Sequence, residues 1–170
     1  MGKITKAIWQ IIIRGGITMK AEYVNPFLQA FDNVAQQVIN IKPEKGRLYV
    51  KEGSTKSGDV AITIGVTGDL SGSVVLNMSE DAAKFIASKM MFGMEVKELD
   101  DMAKSAISEL GNMVAGNSAS FFMNIGKNIN ITPPSLYTGK NMTIYAYKGK
   151  ALCVPMNIGN ETIEIDISVS

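Results

Sequence analysis

The sequence predicts an α+β fold, in which helices pack on one face of an antiparallel β-sheet. Segments rich in β-branched residues and segments with helical periodicity are segregated along the chain instead of alternating. Their order is one helix, three strands, two helices and then three or four strands. The chain has 170 residues, 46% of them hydrophobic, which is enough for a single core. We expect one domain over residues 19–170.

The first helix and the first strands follow from local signals. Asn25-Pro26 predicts a helix start, with a capping side chain and then proline at the first helical position. The helix is expected to end before Pro43. The runs "RLYVKEG", "DVAITIGVTG" and "SVVLNM" are typical of antiparallel strands because glycine separates their β-branched residues.

Two more helices and the final strands complete the pattern. Ser79 is expected to cap a helix that stops near Gly93, and a longer one is expected to open around Asp100 and Asp101 and to run to about Gly126. After Pro133-Pro134, which forbids helix, "MTIYAYK", "ALCVPMNI" and "ETIEIDISVS" indicate strands. The last alternates isoleucine and valine with polar residues, which predicts one buried and one wet face.

Composition excludes several classes of function. The net charge of +1 is unlike the basic surface of a nucleic-acid binder. The chain has no histidine, which excludes Ser-His or Cys-His catalysis, a histidine metal site and a phosphohistidine relay. Its one cysteine, Cys153, can form neither an internal disulfide nor a cysteine metal cluster. We therefore expect a cytoplasmic protein with no metal site, in which Cys153 is a small buried hydrophobe.

Residues 1–18, "MGKITKAIWQIIIRGGIT", differ from the rest, and "MKAEYVNPF" reads like a natural beginning. Their apolar part is too short to span a bilayer. We interpret them as an extension outside the fold. A short amphipathic anchor to a membrane or partner is the alternative.

The stretch "SAISELGNMVAGN", residues 105–117, carries the functional hypothesis. On a helical wheel of about 100° per residue, one sector is apolar and is the expected core face: Met102, Ala106, Leu110, Met113, Val114 and Phe121. The opposite sector holds Asp101, Ser105, Glu109, Asn112 and Gly116. Glu109 and Asn112 are one turn apart, with Cβ atoms roughly 5–6 Å from each other. Such a pair could engage a cation and hold one water.

An exposed Glu near an exposed Asn is ordinary by itself. However, Asn is a mediocre helix former, and Gly111 and Gly116 each cost roughly 0.5–1 kcal/mol in a helix interior. Close helix packing would explain the glycines structurally. The functional explanation is that small residues let another macromolecule approach the helix backbone.

Several motifs together resemble the CheX branch of the CheC/CheX/FliY phosphatases of bacterial chemotaxis. They are "SAISELGNMVAGNSA", "INITPP", "TIGVTGDLSGSVVLNMS" and "MMFGME", and the resemblance runs from about Met19 to the C-terminus. It implies a phosphatase that hydrolyses the aspartyl phosphate of a CheY-like response regulator. Asn112 would orient the attacking water, and Glu109 would contact the partner's active-site lysine. Ser105 and Gly116 would belong to the docking surface.

The resemblance also implies no cofactor of the protein's own, with Mg²⁺ held by the phosphorylated partner, and a homodimer formed through sheet edges. The proline-free strand 161–169 makes edge pairing physically reasonable. A non-catalytic adaptor that binds a receiver or flagellar component through the same helix face is the alternative. A membrane-tethered form of either, using residues 1–18, is a third possibility.

Overall fold

The computed structural model describes Gly16, residues 19–56 and residues 58–170, without the side chains of Thr55 and Lys56. The predicted extension, residues 1–18, therefore lies outside the described residues except for Gly16. The helices are α1 (Ala21–Val34, continued by a π-helical turn, Ala35–Ile39), α2 (Glu80–Met90) and α3 (Asp101–Asn124). The strands are β1 (Glu44–Lys45), β2 (Tyr49–Glu52), β3 (Thr55–Lys56), β4 (Val60–Gly68), β5 (Gly72–Met78), β6 (Ile129–Ile131), β7 (Ser135–Thr138), β8 (Thr143–Ile144), β9 (Lys150–Ile158) and β10 (Glu161–Val169).

Eight of these strands form one antiparallel sheet in the order β1-β9-β10-β5-β4-β6, with β2 also paired to β9 and β7 also paired to β4. The strand expected over "MTIYAYK" is much shorter, because only β8 forms there. It pairs with β3 in a separate two-stranded ribbon. The antiparallel α+β class is confirmed.

The main core lies between the three helices and one face of the sheet. Apolar side chains from α1, α2 and α3 pack there against the buried isoleucines and valines of β4, β5, β9 and β10. Phe27 of α1 meets Phe122 of α3 edge-to-face, with ring centroids 5.0 Å apart. α3 is thereby fixed between α1 and the sheet, and its other side faces solvent.

Two predicted helix starts are confirmed and one is wrong. The hydroxyl of Ser79 accepts a hydrogen bond from the Ala82 amide, and the carboxylate of Asp100 accepts one from the Ala103 amide. α1, however, begins at Ala21, so Pro26 lies inside it. Proline there removes one backbone hydrogen bond, and burial of Val24 and neighbouring apolar residues offsets this loss.

β10 is not the open edge strand that we expected, and its polar face is wet only in part. It pairs with β5 on one side and β9 on the other, so it is central in the sheet. Thr162 is exposed and Glu164 and Ser168 are half-buried, as a wet face requires, but Asp166 is fully buried. Period-two alternation identifies which side chains share a face, but it does not indicate whether a further layer covers the polar face. Among the described residues, no helix is both long and apolar enough to cross a membrane.

Candidate functional site

α3 brings the four predicted site residues onto its solvent side. Ser105, Glu109, Asn112 and Gly116 are all exposed, whereas Ile107, Leu110 and Val114 are buried on the opposite side. Each of the four follows the last by three or four residues, so they form a continuous line over about three turns. We call these four residues the site ridge.

The predicted core face of α3 is correct at its centre and wrong at its first turn. Leu110 and Val114 are buried, and Ala106, Met113 and Phe121 are partly buried against the core. Met102, in contrast, is 61% exposed. The buried positions centre on Ile107, Leu110 and Val114, which places Met102 on the solvent side of the wheel at about 100° per residue.

The carboxylate of Glu109 and the carboxamide of Asn112 are in contact on the ridge. The amide nitrogen Nδ2 of Asn112 lies 3.5 Å from Oε2 of Glu109, a long hydrogen bond between exposed side chains. An asparagine carboxamide has two donors and an acceptor, and this contact engages one donor. The pair therefore presents a carboxylate and an oriented amide side by side, open to a ligand.

The surroundings of the two glycines of α3 differ, and only one of the glycines is explained by packing. A Cβ atom on Gly111 would lie 2.9 Å from Cγ2 of Ile62 and 3.2 Å from Cβ of Pro134. Gly111 therefore permits close packing of α3 against β4 and the "ITPP" segment. Around Gly116 there is no heavy atom within 4 Å of a Cβ position, apart from its chain neighbours and its own helix backbone. Close helix packing therefore does not explain the glycine at position 116.

Asn117 is a structural residue. Its amide donates to the Met113 carbonyl at 2.9 Å, and its oxygen accepts a bond from the Asn33 amide at 3.3 Å. The first bond lies within α3, and the second connects α3 to α1. Part of the unusual polarity of "GNMVAGN" thus holds the ridge in place instead of facing a partner.

The exposed charge on α3 is negative only. Asp101 and Glu109 are the exposed charged side chains of α3, and the one basic residue of this helix, Lys104, is half-buried. A phosphoryl group placed against Asn112 would meet no exposed cation on α3. Neutralising charge therefore has to come from outside the exposed face of this helix.

A second polar cluster lies on the sheet face away from the helices. Ligand atoms of Cys153, Glu164 and Asp166 lie within 4.8 Å of one another, a grouping that sequence spacing did not reveal. The Lys51 ammonium contacts both carboxylates, bonding Glu164 and lying 3.4 Å from Asp166. A protein cation already occupies this cluster, which we interpret as an ion-pair network that holds β2 to the sheet.

Burial governs the pKa values in this cluster. It raises the pKa of the Cys153 thiol, and the negative charge of Asp166 adds to the effect. Burial alone would lower the pKa of Lys51, but the Glu164 hydrogen bond and the charge of Asp166 outweigh it and raise that pKa. Cys153 is fully buried, as predicted, and is held as a neutral thiol.

Comparisons with known proteins agree with this architecture. Residues 60–157 match the family model for the chemotaxis phosphatase CheX. The CheY-P phosphatase CheX of Thermotoga maritima is 33% identical over 152 residues, covering 89% of this chain and 97% of that protein.

Two solved structures show the same similarity. A CheC-like superfamily protein from a Shewanella species superposes with a TM-score of 0.80 at 27% identity, covering 89% of this chain and 99% of that one. CheX in the CheX–CheY–BeF₃–Mg²⁺ complex from Borrelia burgdorferi is 32% identical, with a TM-score of 0.74, 86% of this chain and 97% of that chain covered.

Proposed function

Because this chain belongs to the family of the chemotaxis phosphatase CheX, we propose that it hydrolyses the aspartyl phosphate of a CheY-like receiver domain. The relative from Thermotoga maritima is a CheY-P phosphatase, and the Borrelia burgdorferi relative forms a complex with CheY, BeF₃ and Mg²⁺. The observation that carries the proposal is the exposed Glu109–Asn112 pair at the centre of an accessible helix face.

In the proposed reaction, Asn112 orients the attacking water. The water oxygen attacks phosphorus in line with the bond to the aspartyl oxygen, that bond breaks, and the partner's aspartate leaves as a carboxylate. An acyl phosphate is already activated, so what remains to supply is a well-placed water, as a glutamine does in GTPases. A carboxamide suits this task because it can accept a hydrogen bond from water and donate one to the phosphoryl oxygens.

Glu109 has a different proposed role. Its exposed carboxylate would pair with a lysine beside the partner's phosphoaspartate and fix the docking. The absence of any exposed cation on α3 supports this division of labour, since the partner then supplies the lysine and the Mg²⁺ that neutralise the phosphate. Ser105 and Gly116 complete the surface that the receiver covers.

The test is phosphate release from CheY-type receivers of the organism that encodes this chain, phosphorylated with acetyl phosphate in the presence of Mg²⁺. Asn112→Ala should abolish acceleration and leave thermal unfolding almost unchanged, because the side chain is exposed. Asn160→Ala, at an exposed asparagine in the turn between β9 and β10 and outside α3, should retain full activity. Acceleration that survives in Asn112→Ala overturns the mechanism, and binding without turnover in the unsubstituted protein selects the adaptor.

The proposal extends to assembly and location. We expect a cytoplasmic homodimer, and the position of β10 means that edge pairing has to use outer strands such as β2 or β7. Light scattering on the purified protein measures the oligomeric state directly.

A further inference from the structure

We propose that the receiver docks along the whole length of α3, with Met102 and Met123 as apolar contacts at the two ends of the surface. This inference rests on the proposed function, since the same receiver is the occupant. It adds two residues that make the surface longer than the site ridge and that act in docking instead of in chemistry.

The two methionines face the same way as the ridge. Met102 is 61% exposed and Met123 is 71% exposed. At about 100° per residue, Met102 projects roughly 20° from the direction of Glu109, and Met123 projects roughly 20° from that of Asn112. A flat partner resting on the ridge would therefore contact both.

Asn112 lies almost midway between them. At a rise of 1.5 Å per residue, Met102 is about 15 Å before Asn112 and Met123 about 16 Å after it. A protein interface of standard size buries about 800 Å² on each partner, which corresponds to a disc of roughly 16 Å radius. A receiver centred on Asn112 would thus have one methionine at each edge of its footprint.

The composition of this helix face is unlike that of a solvated surface. The exposed residues of α3 are Asp101, Met102, Ser105, Glu109, Asn112, Gly116, Ser120, Met123 and Asn124. None of them is a lysine or arginine, and two are methionines. Exposed methionine without neighbouring lysine is typical of interaction surfaces, where methionine is enriched, lysine is depleted and the flexible thioether adapts to the partner.

The position of the methionines at the rim predicts their effect. Rim contacts exclude water from the centre of an interface and leave the central geometry unchanged. Bound water other than the nucleophile would screen the Glu109–lysine pair that we propose. The methionines should therefore act on binding of the receiver and not on the rate of hydrolysis once it is bound.

The experiment is steady-state kinetics on Met102→Ala, Met123→Ala and the double variant. The substrate is a receiver phosphorylated with acetyl phosphate. Each single change should raise KM roughly twofold to threefold at unchanged kcat, because contacts at the rim of an interface contribute less than those at its centre. The effects should multiply in the double variant, since the two sites are about 30 Å apart. Tyr145→Ala is the control, because Tyr145 is exposed on the segment that covers the other face of the sheet; its KM should not change.

Failure of this inference can be told apart from failure of the proposed function. If the unsubstituted protein accelerates phosphate loss and KM is the same in the double variant, the extended surface is wrong and the phosphatase proposal stands. If no receiver loses phosphate faster, the phosphatase proposal is wrong, and binding of the receiver loaded with beryllofluoride and Mg²⁺ decides the surface. If the unsubstituted protein binds this receiver and the double variant binds it more weakly, the extended surface is supported. If the unsubstituted protein does not bind it, or the double variant binds it equally well, the extended surface is wrong.

Discussion

Alanine substitution at the two glycines of α3 should have opposite effects on stability. At Gly111 the new methyl carbon would lie 2.9 Å from Cγ2 of Ile62 and 3.2 Å from Cβ of Pro134, whereas carbon atoms in contact prefer about 3.5–4.0 Å. Ile62 is fully buried in β4 and β-branched, so it cannot swing away. Helix α3 itself has to move.

The magnitudes follow from two opposing contributions. Replacing glycine by alanine in a helix interior stabilises by about 1 kcal/mol. Overpacking a filled core costs roughly 1–3 kcal/mol, so Gly111→Ala should lower the free energy of unfolding by about 1 kcal/mol. Gly116→Ala meets no such contact and should raise it by roughly 0.5–1 kcal/mol. The two variants should differ by about 2 kcal/mol, or roughly 4–8 °C in Tm for a chain of this size.

Urea and thermal denaturation of the two variants provide the assay. Equal stabilisation by both substitutions would refute the tight approach of α3 to Ile62 and Pro134. An assay of phosphatase activity tests the proposed role of Gly116 independently of stability. If Gly116 admits the receiver, Gly116→Ala should reduce kcat/KM although the protein is more stable.

Two further predictions concern the cluster around Lys51 on the other face of the sheet. The pKa of Cys153 is raised by burial, so the unfolded chain loses the thiol proton first as pH rises; stability should therefore fall above roughly pH 8.5. Cys153→Ala should flatten the decline in Tm at alkaline pH, and an unchanged decline would contradict this assignment. Lys51→Met leaves the carboxylates of Glu164 and Asp166 without that ammonium and should destabilise by roughly 3 kcal/mol in urea titrations. Lys140→Met, which removes a largely exposed lysine 3.7 Å from Asp59 and Glu80, is the control and should cost under about 1 kcal/mol; equal losses would contradict the network.

The sequence was sufficient to predict features that depend on contacts between residues a few positions apart, such as helix starts and the face of a helix on which a side chain lies. Ser79 and Asp100 were identifiable as helix caps because a side-chain oxygen three residues before a backbone amide can bond it within one turn. The site ridge was predictable because three- and four-residue spacing places side chains on one side of any α-helix.

Features set by contacts between distant segments could not be predicted in this way. The central position of β10 depends on pairing with β5 and β9, and burial of Asp166 depends on Lys51, more than a hundred residues away along the chain. The early start of α1 was missed because Pro26 is a strong local signal that burial of Val24 overrides. The exposure of Met102 depends on where the sheet meets α3, which the helical wheel alone cannot specify.

The central claim is that the Asn112 carboxamide aims water at a receiver's phosphoaspartate. The most direct measurement is the rate of phosphate loss from a phosphorylated receiver with the unsubstituted protein, with Asn112→Ala and with neither. We predict an acceleration on the order of 10²-fold with the unsubstituted protein, and the intrinsic rate with an Asn112→Ala protein that melts normally. Equal acceleration by both proteins would contradict the claim.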